Sequence, residues 1–322
     1  MRAVTTRAID VAAVAPPGVE QCTVDVFLPP DPTRASAIAV CVPGGYSSRR
    51  YFDLAVAPEH GEYSMARHLA GHGMLVIIVD PPGVGDSDVP DDPFTLTPDT
   101  LADVLASLTE TVVEAAREGR LLPGTDPVGP APVLGVGHSA GALLTVYAQA
   151  RHGSFDALAL LGFSGRGLPE QLGPAELACA GDPAAARAAL PDLVRSRFAS
   201  ALPPFPARPG SIFAGGPEPE VAKAALRQAR APLLALLGMT SMIPGASAPE
   251  LAAITVPVLL GIGERDITGE PRAVPAHFPA ATDITLFVLA GAGHAHNIAA
   301  RRAELWDRIV RWAGSLPGAL GS

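Results

Sequence analysis

Seven short runs of apolar and β-branched residues punctuate the chain: Val24 to Leu28, Ala37 to Val42, Leu75 to Val79, Pro132 to Val136, Ala157 to Leu161, Val256 to Ile262 and Ile284 to Leu289. Several lack polar alternation, the pattern of strands covered on both faces. Between them the period changes to that of a helix. Leu101, Val104, Leu105, Leu108, Val112 and Val113 trace one helical face, opened by Thr97-Pro98-Asp99 as cap, first-turn proline and first-turn acid. Trp306, Ile309, Val310 and Ala313 repeat that spacing further on. Strands alternating with helices predict an α/β fold on a largely parallel sheet.

One stretch breaks the rhythm. Residues 163–255 are rich in Ala, Pro and Leu, hold Pro203-Pro204-Phe205-Pro206, and offer helices but no strand. They read as a helical cap or lid inserted into a core made of residues 1–162 and 256–322. The competing reading is a solvated excursion with no part in binding. Within the insertion, Leu236, Met239 and Met242 are candidates, with His138 of the core, for lining a substrate pocket; ordinary cap-to-core packing is the other reading of each.

Composition narrows the class. At 322 residues, 48% hydrophobic and 17% charged, with positive mean hydropathy, the chain can bury a large core. A net charge of −9 argues against a nucleic-acid or anionic-membrane partner. Lys223 is the single lysine and no Gly-x-x-x-x-Gly-Lys loop exists, which removes most mechanisms built on a Schiff-base or phosphate-cradling lysine and argues against phosphoryl transfer. Cys22, Cys41 and Cys179 read as buried thiols of a reducing compartment. With no signal core and no membrane-length apolar run, a cytoplasmic location is expected. No His-Glu-x-x-His or Cys-x-x-Cys pattern calls for a metal, and no cofactor is expected.

The chemistry concentrates at Gly137-His138-Ser139-Ala140-Gly141, which follows an apolar run and opens a helical pattern. A serine on such a strand-to-helix turn stands clear of the sheet, making Ser139 the candidate nucleophile. Serine needs a base, a group to orient that base, and donors for an oxyanion. His294, in Gly291-Ala292-Gly293-His294-Ala295-His296 after the last strand, is the candidate base, with His296 the fallback. Asp266, in Gly263-Glu264-Arg265-Asp266 after the preceding strand, is the candidate acid, with Glu264 its competitor. The oxyanion donors are expected from the Ala140 amide and from Gly45 or Tyr46 in Pro43-Gly44-Gly45-Tyr46.

With these residues in place the chain resembles the serine α/β-hydrolases over roughly residues 20 to 315. The strand-elbow-helix falls on Val133 to Gly141, the oxyanion loop on Pro43-Gly44-Gly45, and the turn after the fourth strand on Asp80-Pro81-Pro82-Gly83-Val84-Gly85-Asp86-Ser87. The resemblance implies a mostly parallel eight-stranded sheet flanked by helices and a carboxylic-ester substrate of small to medium apolar acyl or alkyl size. Acyl-thioester, lactone and C–C bond hydrolysis stay open on the same machinery. The oxyanion loop departs from the family in carrying Pro43 where histidine is common, which leaves its anchoring unexplained. Serine rather than aspartate at position 139 sets the chain apart from the dehalogenases and epoxide hydrolases. Two other classes compete. Gly135-Val136-Gly137-His138-Ser139-Ala140 also fits a dinucleotide fingerprint, but the next strand ends in Gly162-Phe163-Ser164 without the ribose-binding acid. A non-catalytic ligand-binding protein on this fold is the other, against which the intact set of candidates counts.

Overall fold

The computed structural model describes residues 4–206 and 218–318. Eight strands form one sheet: β1 (Thr5–Asp10), β2 (Gln21–Phe27), β3 (Ala37–Val42), β4 (Met74–Val79), β5 (Val133–His138), β6 (Ala157–Leu161), β7 (Val258–Gly263) and β8 (Ile284–Leu289). Their order is β1-β2-β4-β3-β5-β6-β7-β8, antiparallel at β1–β2 and β2–β4 and parallel from β4 onward.

Successive strand residues point to opposite faces, so each unbroken apolar run feeds two cores. On one face Ile38, Val40 and Val42 pack with Leu101, Leu105 and Leu143 of α2 (Pro98–Arg117) and α3 (Ala140–His152). On the other, Ala37, Ala39 and Cys41 pack with Leu69 of α1 (Met65–Gly71) and with Trp306 and Ile309 of the C-terminal helix, Arg302–Ala313. Helix α2 starts where the cap signal placed it: the Thr97 hydroxyl accepts from the Thr100 amide.

The first strand has no counterpart among the seven runs. β1 reads Thr-Thr-Arg-Ala-Ile-Asp, alternates exposed and part-buried positions, and pairs only with β2, as a half-covered edge strand does. Between β6 and β7 the chain forms α4 (Pro174–Leu177), α5 (Pro183–Phe198), α6 (Glu220–Gln228), α7 (Ala235–Met242) and α8 (Ala248–Ala252). The C-terminal helix is therefore α9. The inserted helices have an apolar cluster of their own, with Leu190, Val194, Leu236 and Met239 at its centre.

Candidate active site

The site is assembled at the carboxyl ends of β3, β5, β7 and β8. β5 runs two residues further than its apolar stretch, to His138, so Ser139 is the turn itself. Ser139 has φ +53° and ψ −120°, a conformation L residues rarely adopt, and its amide donates to the Leu161 carbonyl of β6. The flanking glycines are required by close approach. A Cβ on Gly137 would lie 2.3 Å from Ala142 Cα, and one on Gly141 would lie 2.3 Å from the Val42 and Pro43 carbonyl oxygens. Strand end, turn and helix cross at van der Waals distance only because neither position carries a side chain.

Ser139, Asp266 and His294 come together. His294 Nε2 lies 3.0 Å from Ser139 Oγ, and His294 Nδ1 lies 2.7 Å from Asp266 Oδ1. The Asp266 side chain is fully buried and that of His294 is 8% exposed. A Cβ on Gly263, at the end of β7, would lie 2.5 Å from the Gly293 carbonyl, so the histidine loop crosses the strand end over a bare backbone.

The two rival candidates are used differently. Glu264 is exposed and accepts from the Gly291 amide, which braces the histidine loop from outside. His296 turns away from the serine: its Nε2 lies 2.8 Å from Asp266 Oδ2. Asp266 thus accepts from two imidazoles, and also from the Ile267 and Gly263 amides. Burial alone would push its carboxyl up, but the charges and hydrogen bonds of His294 and His296 outweigh it and hold the group far below the usual carboxylate range.

The oxyanion-loop candidates lie against the serine. A Cβ on Gly44 would sit 3.1 Å from Ser139 Cβ. Tyr46 has φ +60°, turning the chain so that its carbonyl accepts from the Ala231 amide of the insertion. Helix α3 begins its internal bonding with the Ala142 and Leu143 amides, both donating to the Ser139 carbonyl, so the Ala140 N–H faces out of the helix end.

Anchoring of that loop, unexplained by Pro43, comes from Arg49. Its guanidinium is 6% exposed and pairs with Asp25 at 2.9 Å, Asp86 at 2.8 Å and the fully buried Asp80, while its amide donates to Asp80 Oδ1 at 2.6 Å. Burial works against the Arg49 charge, and Asp80, Asp86 and Asp25 more than offset it. Asp80 lay inside the turn singled out in the sequence; Arg49 carried no local signal.

Of the pocket candidates, His138 ends β5, and Leu236, Met239 and Met242 lie on α7. His138 is buried, stacks on Tyr51 with ring centroids 4.5 Å apart, and its Nε2 lies 2.8 Å from the His294 carbonyl, so it props the His294 backbone. Burial, with the nearby charges of His294 and His296, pushes its pKa well down and keeps the ring neutral. Leu236 and Met239 are spent on the insertion's own core. Leu236 also borders a cavity of about 100 Å³ that Tyr147 and Arg187 line and Ser139 does not. Met242 is half-buried, and its carbonyl accepts from Leu168. Leu233 of that apolar segment reaches the loop, 2.8 Å from where a Gly45 Cβ would stand, and Tyr46 packs against the insertion's cluster.

Among the described residues, one group offers a metal-ligand arrangement: His68 of α1, His72 just past that helix, and Asp307 of α9, rather than residues of the loops around Ser139. Cys22, Cys41 and Cys179 are free and buried, with burial raising the Cys22 thiol to about 12. No described helix is long and apolar enough to cross a membrane.

An eight-stranded, mostly parallel sheet in this order, with helices on both faces and a serine elbow after β5, is the architecture of an α/β hydrolase. A family model described as "Alpha/beta hydrolase family" matches residues 39–308, and the chain belongs to that family. No curated protein matches the sequence significantly. Among solved structures the chain is similar to a thermophilic esterase from Thermogutta terrifontis (malate bound), at 18% identity and TM-score 0.58, covering 96% of this chain and 97% of that one. It is similar to the thioesterase domain from the curacin biosynthetic pathway, at 18% identity and TM-score 0.60, covering 96% and 100%. An N-acyl homoserine lactonase complexed with N-hexanoyl homoserine is 16% identical with TM-score 0.58, covering 99% and 100%. At these identities the likeness is one of fold.

Proposed function

We propose that this chain is a serine hydrolase that cleaves a carboxylic ester of small to medium apolar acyl or alkyl size through an acyl-Ser139 intermediate. The observation that carries the reading is the relay from Ser139 Oγ to His294 Nε2 at 3.0 Å and from His294 Nδ1 to Asp266 Oδ1 at 2.7 Å. The family and the esterase, thioesterase and lactonase among the neighbours support acyl transfer as the reaction class.

In the first half-reaction Ser139 Oγ attacks the ester carbonyl while its proton passes to His294 Nε2. The carbonyl electron pair moves to oxygen, where the Ala140 amide and one of the Gly45 and Tyr46 amides stabilise it. Collapse expels the alcohol, which takes the proton from His294. Water then attacks the acyl carbon with His294 again the base, and the acid leaves as Ser139 recovers its proton. Asp266 holds the imidazole tautomer with Nδ1–H and stabilises the imidazolium in both halves. The insertion, which meets the oxyanion loop through Ala231 and Leu233 of the α6–α7 connection, acts in this reading as the cap that selects the substrate.

The test is a panel of nitrophenyl esters of increasing acyl length beside acyl-CoA thioesters, run on the wild type and on Ser139→Ala. The reading expects ester turnover with an optimum at short to medium chains, and a loss of about a thousandfold or more in the variant. Turnover retained in Ser139→Ala would remove the nucleophile assignment. A higher kcat/KM for the thioesters would replace ester by thioester.

A further inference from the structure

The segment against the proposed oxyanion loop carries a positive charge that no acid among the described residues pairs with. Arg230 pairs with Ser47 as an isolated antiparallel bridge, and the next residue donates to the Tyr46 carbonyl at 3.0 Å, so Arg230 is tied directly to the oxyanion loop. Its guanidinium lies over the Phe205 ring at 3.7 Å from the centroid, and that ring meets Tyr46 edge-on at 5.4 Å. An arginine stacked in this way keeps its planar edge, with its donors, open to a ligand.

Its surroundings are cationic. Arg227, three residues earlier in the last turn of α6, is the charged neighbour that acts on Arg230; after burial, its repulsion is what lowers the Arg230 pKa. Among the described residues neither guanidinium has a carboxylate within ion-pair distance. Residues 207–217, next to Phe205 in sequence, contain no Asp or Glu. Arg227 also complements the C-terminus of α6, but Arg230 lies beyond that helix and gains nothing from it. An exposed arginine without a partner is ordinary. One fixed by a backbone bridge to the Tyr46–Ser47 loop, stacked on an aromatic ring, and set beside a second arginine that pairs with no described carboxylate is a built arrangement in a chain of net charge −9.

We infer that Arg230, assisted by Arg227, forms an anion subsite beside the oxyanion loop, and that the preferred substrate carries an anionic group, a carboxylate or a phosphate, on the part of the molecule that reaches the Arg230 guanidinium. The inference rests on the hydrolase reading of the same site and adds to it: the ester keeps its apolar group at the reacting carbonyl and carries an acidic group at its other end. Guanidinium edges bind both anions through paired N–H donors. An exposed subsite of this kind acts on KM and on capture of the substrate, and weakens as salt rises.

The experiment compares p-nitrophenyl butyrate with the mono-p-nitrophenyl ester of glutaric acid, and S-butyryl-pantetheine with its 4′-phosphate. Wild type, Arg230→Ala, Arg230→Lys and the remote charge control Arg120→Ala are assayed at low and high salt. The readout is the ratio of kcat/KM for the charged member to that for its neutral partner. The subsite predicts a ratio above one in the glutarate or the phosphate arm, whichever anion is used. It further predicts a fall of tenfold or more in Arg230→Ala, carried by KM, a partial return in Arg230→Lys, and no change in Arg120→Ala. A ratio at or below one in both arms, or one that Arg230→Ala leaves untouched, overturns it. Glutarate and inorganic phosphate binding by calorimetry gives a second readout independent of turnover. If no ester or thioester is cleaved, the hydrolase reading falls, while binding lost in Arg230→Ala keeps the subsite and binding absent or unaltered removes it.

Discussion

Asp266 shows how much one carboxylate is asked to do at the residue scale. It is fully buried and orients the proposed base through one oxygen while His296 donates to the other, so His296 is a positioning residue for Asp266. Because the folded-state pKa is depressed, the stability this group contributes is fully present above the ordinary carboxylate value of about 4 and is lost as pH falls from there toward the lower folded value. Replacing His296 by Leu removes one of the interactions that hold the group down, so the acid-unfolding midpoint followed by circular dichroism should move to higher pH. The hydrogen bond to a charged group is itself worth about 2 kcal/mol in denaturant titration at neutral pH. Superimposable acid transitions for the two proteins would contradict this role. The sequence made Ser139, Asp266 and His294 legible because each follows an apolar run at a glycine-marked turn. It could not assign His296, since two histidines one residue apart differ only in which way the loop turns their rings.

At the scale of elements, the proposed oxyanion loop is held from both sides. The insertion bonds it at Tyr46 and Ser48, and Arg49 ties it to the ends of β2 and β4. Removing one partner of a buried pair leaves the other uncompensated, so Arg49→Met should cost about 3–5 kcal/mol in chemical denaturation, with Arg49→Lys intermediate. A loss below about 1 kcal/mol would mean that Asp80 does not depend on this arginine. Arg49 and Asp80 are 31 positions apart and neither belongs to a periodic pattern, which is why a local motif pointed to the Asp80 turn and not to its partner. β1 escaped for a related reason: its alternation is carried by Thr, Arg and Ala, which resemble a polar arm until β2 is beside them. The helices of the insertion were readable from composition, but the fate of Leu236 and Met239 was not. An apolar residue in such a segment packs against its own neighbours or a ligand with the same sequence signature.

Over the whole molecule, the sheet acts as a rigid plate with both faces covered, and everything chemical is hung on its carboxyl edge. The loops after β3, β5, β7 and β8 supply oxyanion donors, nucleophile, acid and base in the proposed reaction, while the chain between β6 and β7 contributes the segment against the oxyanion loop. Two cores packed on α2 and α3 on one side and α1 and α9 on the other fix the strand ends relative to one another, which is what a three-residue relay at hydrogen-bond distance requires. The central claim is that Ser139 is the atom source of the covalent step. The most direct measurement is to treat the native protein with a fluorophosphonate probe, map the adduct by peptide mass spectrometry, and follow ester turnover in the same sample. One adduct per chain is expected, on the peptide carrying Ser139, with turnover falling in proportion to labelling and no adduct in Ser139→Ala. An adduct on another residue, or full turnover from protein labelled at Ser139, would contradict it.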